Sequence, residues 1–125
     1  MFPNDRRYTK EHEWVQSEGV AATVGITDFA QHELGDIVYV ELPDIGRTVL
    51  SGEVLGTIES VKAVSEIYAP VSGTIAEVNN LLRDKPETVN LDAHGAGWIC
   101  KLTLSKPSEL DGLMDAAAYG KLAEG

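Results

Sequence analysis

Residues 54–68, with the sequence VLGTIESVKAVSEIY, decide which fold the chain is predicted to adopt. Residues 54–59 and 64–68 are rich in β-branched side chains, which favour strands. The link between them, residues 60–63, holds no Gly, Pro or Asn, so the pattern alone does not specify a hairpin. Lys62 lies in this link. On pattern alone, a lysine among apolar neighbours is a solvent-facing residue at a strand edge.

Short strands continue on both sides of this stretch, separated by Gly and Pro at brief intervals. The predicted strands are residues 11–16, 20–26, 36–42, 47–50, 54–59, 64–68, 74–78 and 98–104. Gly19 is expected to supply the positive φ of the first turn. A brief echo of residues 56–59 in residues 73–77 suits a sandwich of two similar halves. The pattern therefore predicts a mainly β fold.

Helices are predicted in two places. The first spans residues 28–34, with Asp28 as its N-cap and Gly35 at its C-terminal end. Pro107 is suited to the first position of a C-terminal helical segment, and Asp115 to capping a further turn. Residues 79–90 are predicted to form a loop with one helical turn, and no linker divides the chain. We expect a single domain over residues 1–125.

Composition and charge exclude several classes of function. The chain has 125 residues, and 10 Lys and Arg against 20 Asp and Glu give a net charge of −10. Such a chain is repelled by nucleic acids and anionic membranes, and is suited to docking on basic protein surfaces. One cysteine rules out an internal disulfide. No apolar run has the ~20 residues of a membrane span, and the N-terminal residues predict no secretory signal.

No catalytic motif stands out in the sequence. His12, His32 and His94 are far apart and fit no metal-ligand spacing, so surface or loop histidines are expected. Cys100 alternates in phase with Trp98 and is interpreted as a small core residue. Nucleophile-elbow, phosphate-loop and dinucleotide-binding motifs are absent. The residues alone therefore do not predict an enzyme.

Several segments, in order over nearly the whole chain, match one family. They are residues 8–15, 24–31, 34–43, 59–66, 69–73, 97–98 and 107–110. Together they resemble the signatures of the glycine cleavage system H protein family. Residues 59–66 followed by 69–73 are similar to its lipoyl-attachment segment. Residues 91–94 depart from the pattern, since the family would have an Asp-Pro-Tyr-like stretch there.

This resemblance implies a lipoyl-type fold, a barrel-sandwich hybrid of two small antiparallel sheets with short helices, including a C-terminal one. It implies that Lys62 lies at an exposed hairpin tip and carries lipoate in amide linkage. Glu59, Val61, Ala63 and Gly73 would be recognised by the lipoate-attaching enzyme. The cofactor would supply the redox chemistry, and the protein its orientation and recognition.

The resemblance also implies a carrier rather than an enzyme. The lipoyl arm would accept an aminomethyl group from the pyridoxal-phosphate glycine decarboxylase (P protein) and present it to the tetrahydrofolate-dependent aminomethyltransferase (T protein). Dihydrolipoamide dehydrogenase (L protein) would reoxidise the arm. Glu13 and Glu66 would lie near a cleft that holds the cationic amine; alternatively, both are solvated surface acids. We expect a monomer in the bacterial cytoplasm, binding neither nucleic acid nor membranes.

Other lipoyl-like carriers fit the sequence less well. A biotin carrier domain has methionines beside its lysine, where this chain has Val61 and Ala63. A lipoyl domain of a 2-oxoacid dehydrogenase has Asp before the lysine and belongs to a longer chain. An H-like lipoate relay protein, which donates lipoyl groups to other enzymes, is the remaining alternative. The full-length match favours glycine cleavage, and the intact Lys62 segment argues against a plain adaptor.

Overall fold

The computed structural model describes residues 2–124, so Met1 and Gly125, the ends of the predicted domain, lie outside the described residues. The strands are β1 (Arg7–Tyr8), β2 (Glu13–Glu18), β3 (Ala21–Ile26), β4 (Ile37–Glu41), β5 (Thr48–Val49), β6 (Val54–Ser60), β7 (Val64–Tyr68), β8 (Gly73–Val78) and β9 (Cys100–Leu104). The helices are α1 (Asp28–Leu34), α2 (Leu81–Asp84), α3 (Thr88–Leu91) and α4 (Ala116–Glu124), with a 3₁₀ helix over Pro107–Gly112.

The strands form two antiparallel sheets. One has six strands in the order β1-β2-β3-β9-β8-β5, and the other has three in the order β4-β6-β7. Within residues 2–124 neither sheet closes into a barrel. Both sheets contribute to one buried apolar core, which includes Val24 and Leu102 from the large sheet and Ile58 from the small one. The expected mainly β architecture of two antiparallel sheets with a C-terminal helix is confirmed.

The two-residue period predicted for the last strand holds in β9. Cys100, Leu102 and Leu104 are buried, whereas Thr103 between them is exposed. Alternate side chains of a strand point to opposite faces, so the three buried residues face the core together. Burial raises the pKa of the Cys100 thiol to about 12. Cys100 is therefore a core residue with an unreactive thiol, as its sequence pattern indicated.

The sequence echo corresponds to a packing feature that occurs once in each sheet. A Cβ on Gly56 would lie 2.1 Å from the carbonyl oxygen of Glu41, and one on Gly73 would lie 2.4 Å from that of Thr103. Both distances are too short for any side chain. Each glycine therefore allows a carbonyl of the neighbouring strand to approach closely.

The boundaries of α1 are as predicted, but its N-cap is not. Thr27 has an extended backbone and its hydroxyl accepts a hydrogen bond from the Ala30 amide at 3.1 Å, whereas Asp28 is the first helical residue. The Asp28 carboxylate instead accepts from the Gln31 side-chain amide at 2.9 Å. Gly35 ends the helix with φ of +80°, as expected.

The C-terminal helix packs through an aromatic cluster. The rings of Tyr8 and Tyr119 are stacked, with centroids 4.8 Å apart. The Tyr119 hydroxyl lies 2.7 Å from Thr27 Oγ1 and 2.8 Å from His12 Nδ1. Asp115 caps this helix through a 2.8 Å hydrogen bond from the Ala118 amide, as predicted.

The segments around the last strand differ from the sequence prediction in detail. Where a loop with one helical turn was predicted over residues 79–90, the structure has two single-turn helices, the second ending at Leu91, and the segment that begins at Pro107 is a 3₁₀ helix. One turn is too short for a hydrophobic period to be recognised in the sequence.

No helix among residues 2–124 has the length and apolar character needed to span a membrane.

Candidate functional site

Lys62 is exposed in the turn over residues 60–63, here called the tip, which begins at the last residue of β6 and leads into β7. The Ser60 amide donates to the Ala63 carbonyl at 2.8 Å. The Ser60 hydroxyl accepts from the amides of Lys62 and Ala63, at 3.3 and 3.1 Å. A serine side chain thus completes this turn in place of a glycine. Ser60 is the local signal that sequence reasoning missed.

The tip rests on the segment that joins α1 to β4. The Val61 amide donates to the Asp36 carbonyl at 3.0 Å. The Lys62 side chain passes over Gly35, and its Cε lies 3.5 Å from the place a Cβ of Gly35 would occupy. The lysine side chain therefore leaves the tip over the C-terminal end of α1. Glu59 precedes the turn at the end of β6 and is half-buried, whereas Val61 and Ala63 are exposed beside the lysine.

A small cavity of about 30 Å³ lies between α1 and β7. Its lining includes Leu34 from α1, Ser65 and Glu66 from β7, and Glu13. A second, open cleft of about 430 Å³ also borders Glu13 and is lined in part by Tyr68. The structure therefore brings the two predicted acids, Glu13 and Glu66, to one cavity.

Glu13 is buried, with 2% of its surface exposed. One carboxylate oxygen accepts from the Thr9 hydroxyl at 2.6 Å, and the other accepts from the Tyr68 amide at 3.1 Å. Tyr68 lies on the edge strand β7, so Glu13 satisfies an amide that has no strand partner on that side. Burial raises the pKa of Glu13 to about 7, and these two hydrogen bonds oppose the rise. Its burial excludes the alternative of a solvated surface acid.

Glu66 is exposed, in contrast to Glu13. Its carboxylate accepts a hydrogen bond from the Tyr68 hydroxyl at 3.2 Å. Tyr68 lies two positions further along β7, on the same face of the strand. Glu66 thus lies at the solvent side of the cavity, where its exposure is also consistent with a solvated acid.

Comparison with known protein families shows to which family the chain belongs. The family model described as "Glycine cleavage H-protein" matches residues 6–125. The chain belongs to the glycine cleavage H-protein family. The resemblance inferred from the sequence segments is thereby confirmed. The family is a lipoyl-carrier component of the glycine cleavage system and not a catalytic enzyme.

Individual members of the H-protein family are similar over almost their whole length. The H protein of Anaeromyxobacter sp. (strain K) is 56% identical over 123 residues, covering 98% of this chain and 96% of the relative. That of Myxococcus xanthus is 53% identical over 123 residues, covering 98% and 95%. The crystal structure of an H protein from Mycobacterium marinum aligns with a TM-score of 0.90 and 39% identity, covering 99% of this chain and 100% of that one.

Two of the histidines have structural partners. His12 Nδ1 lies 2.8 Å from the Tyr119 hydroxyl, and His94 Nε2 accepts from the Asp28 amide at 3.1 Å. Burial lowers the pKa of both rings. Over residues 2–124, no group of three or more His, Cys, Asp or Glu side chains is arranged to hold a metal ion.

Gly73 is not brought to the tip. It is buried at the start of β8 in the six-stranded sheet, where it pairs with Leu104, whereas Lys62 projects from the three-stranded sheet. The structure gives this glycine a packing role, set by the close approach of the Thr103 carbonyl. Its predicted role in recognition by the attaching enzyme stays a prediction.

Gly73→Ala is expected to lower the free energy of unfolding by about 1–3 kcal/mol, because the added methyl group forces strands β8 and β9 apart. Urea unfolding measures this loss. Gly112→Ala is the matched control, since a Cβ there meets nothing within 4 Å. Equal stability of the two variants would contradict the packing role. Lipoylation of folded Gly73→Ala at the normal rate would show that the attaching enzyme does not need this glycine.

Proposed function

We propose that this member of the H-protein family carries lipoate on Lys62 and shuttles an aminomethyl group between the enzymes of the glycine cleavage system. The observation on which this depends is an exposed lysine on a hydrogen-bonded hairpin tip, beside a cavity with a buried carboxylate. When bound, lipoate supplies a reversible dithiol–disulfide couple that works by thiolate exchange. The protein supplies presentation, orientation and shelter.

The residues around Lys62 fit such an attached group. Lys62 is exposed, so an attaching enzyme reaches its amine, and Glu59, Val61 and Ala63 are the neighbours that it would recognise. An extended lipoyl-lysine side chain has about a dozen bonds beyond Cα and spans ~15 Å. Four strand residues span ~13 Å. The cavity beside Glu66 therefore lies within reach of the arm, with apolar Leu34 along its wall.

Glu13 and Glu66 would act on the loaded state. The aminomethyl group is a cation at neutral pH, and a carboxylate held by two donors is a fixed partner for it. Glu13 lies deep in the cavity and Glu66 at its entrance. Holding the amine there would keep it away from bulk water, which hydrolyses it.

The proposed partners are the pyridoxal-phosphate glycine decarboxylase, the tetrahydrofolate-dependent aminomethyltransferase, dihydrolipoamide dehydrogenase and the lipoate-attaching enzyme. A tethered arm makes each transfer intramolecular after docking, at an effective concentration in roughly the millimolar range. The core shared by both sheets supports a single domain over residues 1–125. We further propose that it acts as a monomer in the bacterial cytoplasm.

The attachment is tested by intact mass and peptide mapping of protein expressed with lipoate and its attaching enzymes. We expect a mass increase of one lipoyl group, located on the peptide that contains Lys62. Protein that always has the mass of its bare polypeptide would overturn the proposal. A lipoyl group found on another lysine would refute the assignment of the site.

Affinity for the glycine decarboxylase is expected to fall as salt concentration rises. The chain has a net charge of −10, and amide formation removes the Lys62 charge, so the docking face becomes more acidic. Dissociation constants measured by calorimetry between ~0.05 and ~0.5 M salt test this, because exposed charges are strongly screened over that range. An affinity that does not change with salt would contradict it.

Matched Asp→Asn variants locate the charges that matter for this docking. Asp36 is exposed next to the tip, and Asp111 is exposed in the 3₁₀ helix. Asp36→Asn is expected to weaken binding of the decarboxylase and to reduce its salt dependence, while Asp111→Asn leaves both unchanged. Equal effects of the two substitutions would show that only the total charge matters.

A further inference from the structure

The side chain of Asn90, in α3, makes three hydrogen bonds around the joint between α1 and β4. Its Nδ2 donates to the Gly35 carbonyl and to Gln31 Oε1, both at 2.9 Å. Its Oδ1 accepts from the Ile37 amide at 2.9 Å. A carbonyl only accepts and a backbone amide only donates, so these partners fix the orientation of the Asn90 side chain.

The joint held by Asn90 is the platform of the tip. Asn90 bonds the residues on either side of Asp36, and the Asp36 carbonyl accepts the Val61 amide of the tip at 3.0 Å. Gly35 lies under the Lys62 side chain, with Lys62 Cε 3.5 Å from the place of its missing Cβ. Two contacts of the tip with the rest of the molecule therefore end on the segment that Asn90 fixes.

The joint is also held at its two ends, because Leu34 of α1 packs against the core and Ile37 is buried in the core and pairs with Ser60 of β6. Gly35 has φ of +80°, and α1 contributes no fully buried side chain. The Gly35 amide bonds back to Gln31, which is within the same helix. Among the described residues, the hydrogen bonds that connect the joint to the neighbouring helix α3 come from the Asn90 side chain.

We propose that Asn90 is a positioning residue for Lys62: it holds residues 35–37 so that the lysine side chain leaves the tip over the end of α1, toward the cavity that contains Glu13. Leu34, which lines this cavity, directly precedes Gly35. The inference rests on the proposed attachment of lipoate to Lys62. Asn90 acts through the joint and touches neither the cargo nor the reacting atoms.

Asn90→Asp tests the positioning with little change in shape. The variant keeps an acceptor for the Ile37 amide, loses both N–H donors and places a carboxylate oxygen against the Gly35 carbonyl. Asn79→Asp is the matched control. The Asn79 side-chain amide donates to the carbonyls of Ala96 and Trp98, at 2.8 and 2.7 Å, in the loop before β9. Each variant loses two N–H donors, which in Asn79 serve two backbone carbonyls and in Asn90 serve one backbone carbonyl and the Gln31 side chain, but only Asn90→Asp changes the joint.

The direct readout is the nuclear Overhauser effect between the ε-methylene protons of Lys62 and the α-protons of Gly35 in protein without lipoate. We expect it in the wild type and in Asn79→Asp, and its loss in Asn90→Asp. If Asn90→Asp does not fold, Asn90→Ser, which also lacks the amide donors, replaces it with the same expectation. Retention of the effect in the folded variant would overturn the inference.

The second readout is the rate at which the loaded carrier loses its aminomethyl group. In Asn90→Asp it is expected to rise about fivefold, the ratio equivalent to about 1 kcal/mol, one net hydrogen bond. Asn79→Asp should leave the rate unchanged, and equal rates in both variants would overturn the inference. Absence of lipoate from wild-type Lys62 would instead refute the proposed function, independently of the Overhauser result.

Discussion

Lys62→Ala is expected to abolish both lipoylation and the exchange of glycine carbon with carbon dioxide, while the domain stays folded. The lysine amine is the proposed point of attachment, so its removal leaves no place for the cofactor. The turn survives, because the Ser60 hydroxyl accepts from the backbone amide of residue 62, which alanine retains. An exposed side chain contributes little, and the free energy of unfolding is expected to change by less than about 0.5 kcal/mol. Mass spectrometry, exchange assays and urea unfolding measure the three quantities.

Lys121→Ala is the control for this experiment. Lys121 is exposed on α4, so its loss removes the same charge without touching the tip. We expect normal lipoylation and normal exchange. Exchange that persists in Lys62→Ala would count decisively against the carrier role of this lysine, whatever its effect on stability.

Glu13→Gln is expected to speed the loss of the aminomethyl group from the loaded carrier by roughly ten- to a hundredfold, the ratio equivalent to a charged hydrogen bond of about 1.5–3 kcal/mol. Glutamine fits the same space. Its oxygen can accept the Tyr68 amide, and its amide can donate to the Thr9 hydroxyl. What it lacks is the negative charge that balances the amine. Release of formaldehyde or ammonia from isolated loaded protein measures the rate.

The effect of Glu13→Gln depends on pH in a defined direction. With a pKa of about 7, Glu13 is mostly charged at pH 8 and mostly protonated at pH 6 before loading. The difference between wild type and variant is therefore largest at pH 8 and shrinks toward pH 6. Glu66→Gln, at the solvent side of the cavity, is expected to have a smaller effect. An unchanged rate of aminomethyl loss in Glu13→Gln at pH 8 would show that Glu13 does not hold the amine.

Most strands were predictable because their signals are local. The alternation of buried and exposed side chains in β9 and the glycine turn after β2 are each determined by neighbouring residues. Gly19 has φ of +64°, as expected. The prediction of the α1 N-cap was wrong because Thr27 and Asp28 are both good capping residues, and only the backbone conformation decides between them. The single-turn helices lack a readable period.

The site was predictable only in part, because its geometry depends on contacts far apart in sequence. The lysine segment indicated Lys62, but not the support it receives. Glu13 meets the Tyr68 amide 55 positions away, and Asn90 meets the Ile37 amide 53 positions away. No local pattern encodes such pairs. Gly73 shows the reverse case, since a family spacing suggested recognition where the structure shows close packing.

The unreactive thiol of the buried Cys100 has a consequence for the redox chemistry proposed for the lipoyl group on the exposed tip. In its disulfide form the lipoyl group is open to attack by any nearby thiolate, which would break the ring S–S bond, so a carrier with a reactive cysteine of its own would form a mixed disulfide with its lipoyl group. Cys100 is the only cysteine in the sequence. It is fully buried, and its high pKa keeps it in the thiol form. The protein therefore offers no thiolate of its own to react with the lipoyl sulfur atoms. The reduced arm would pass its electrons to a partner enzyme.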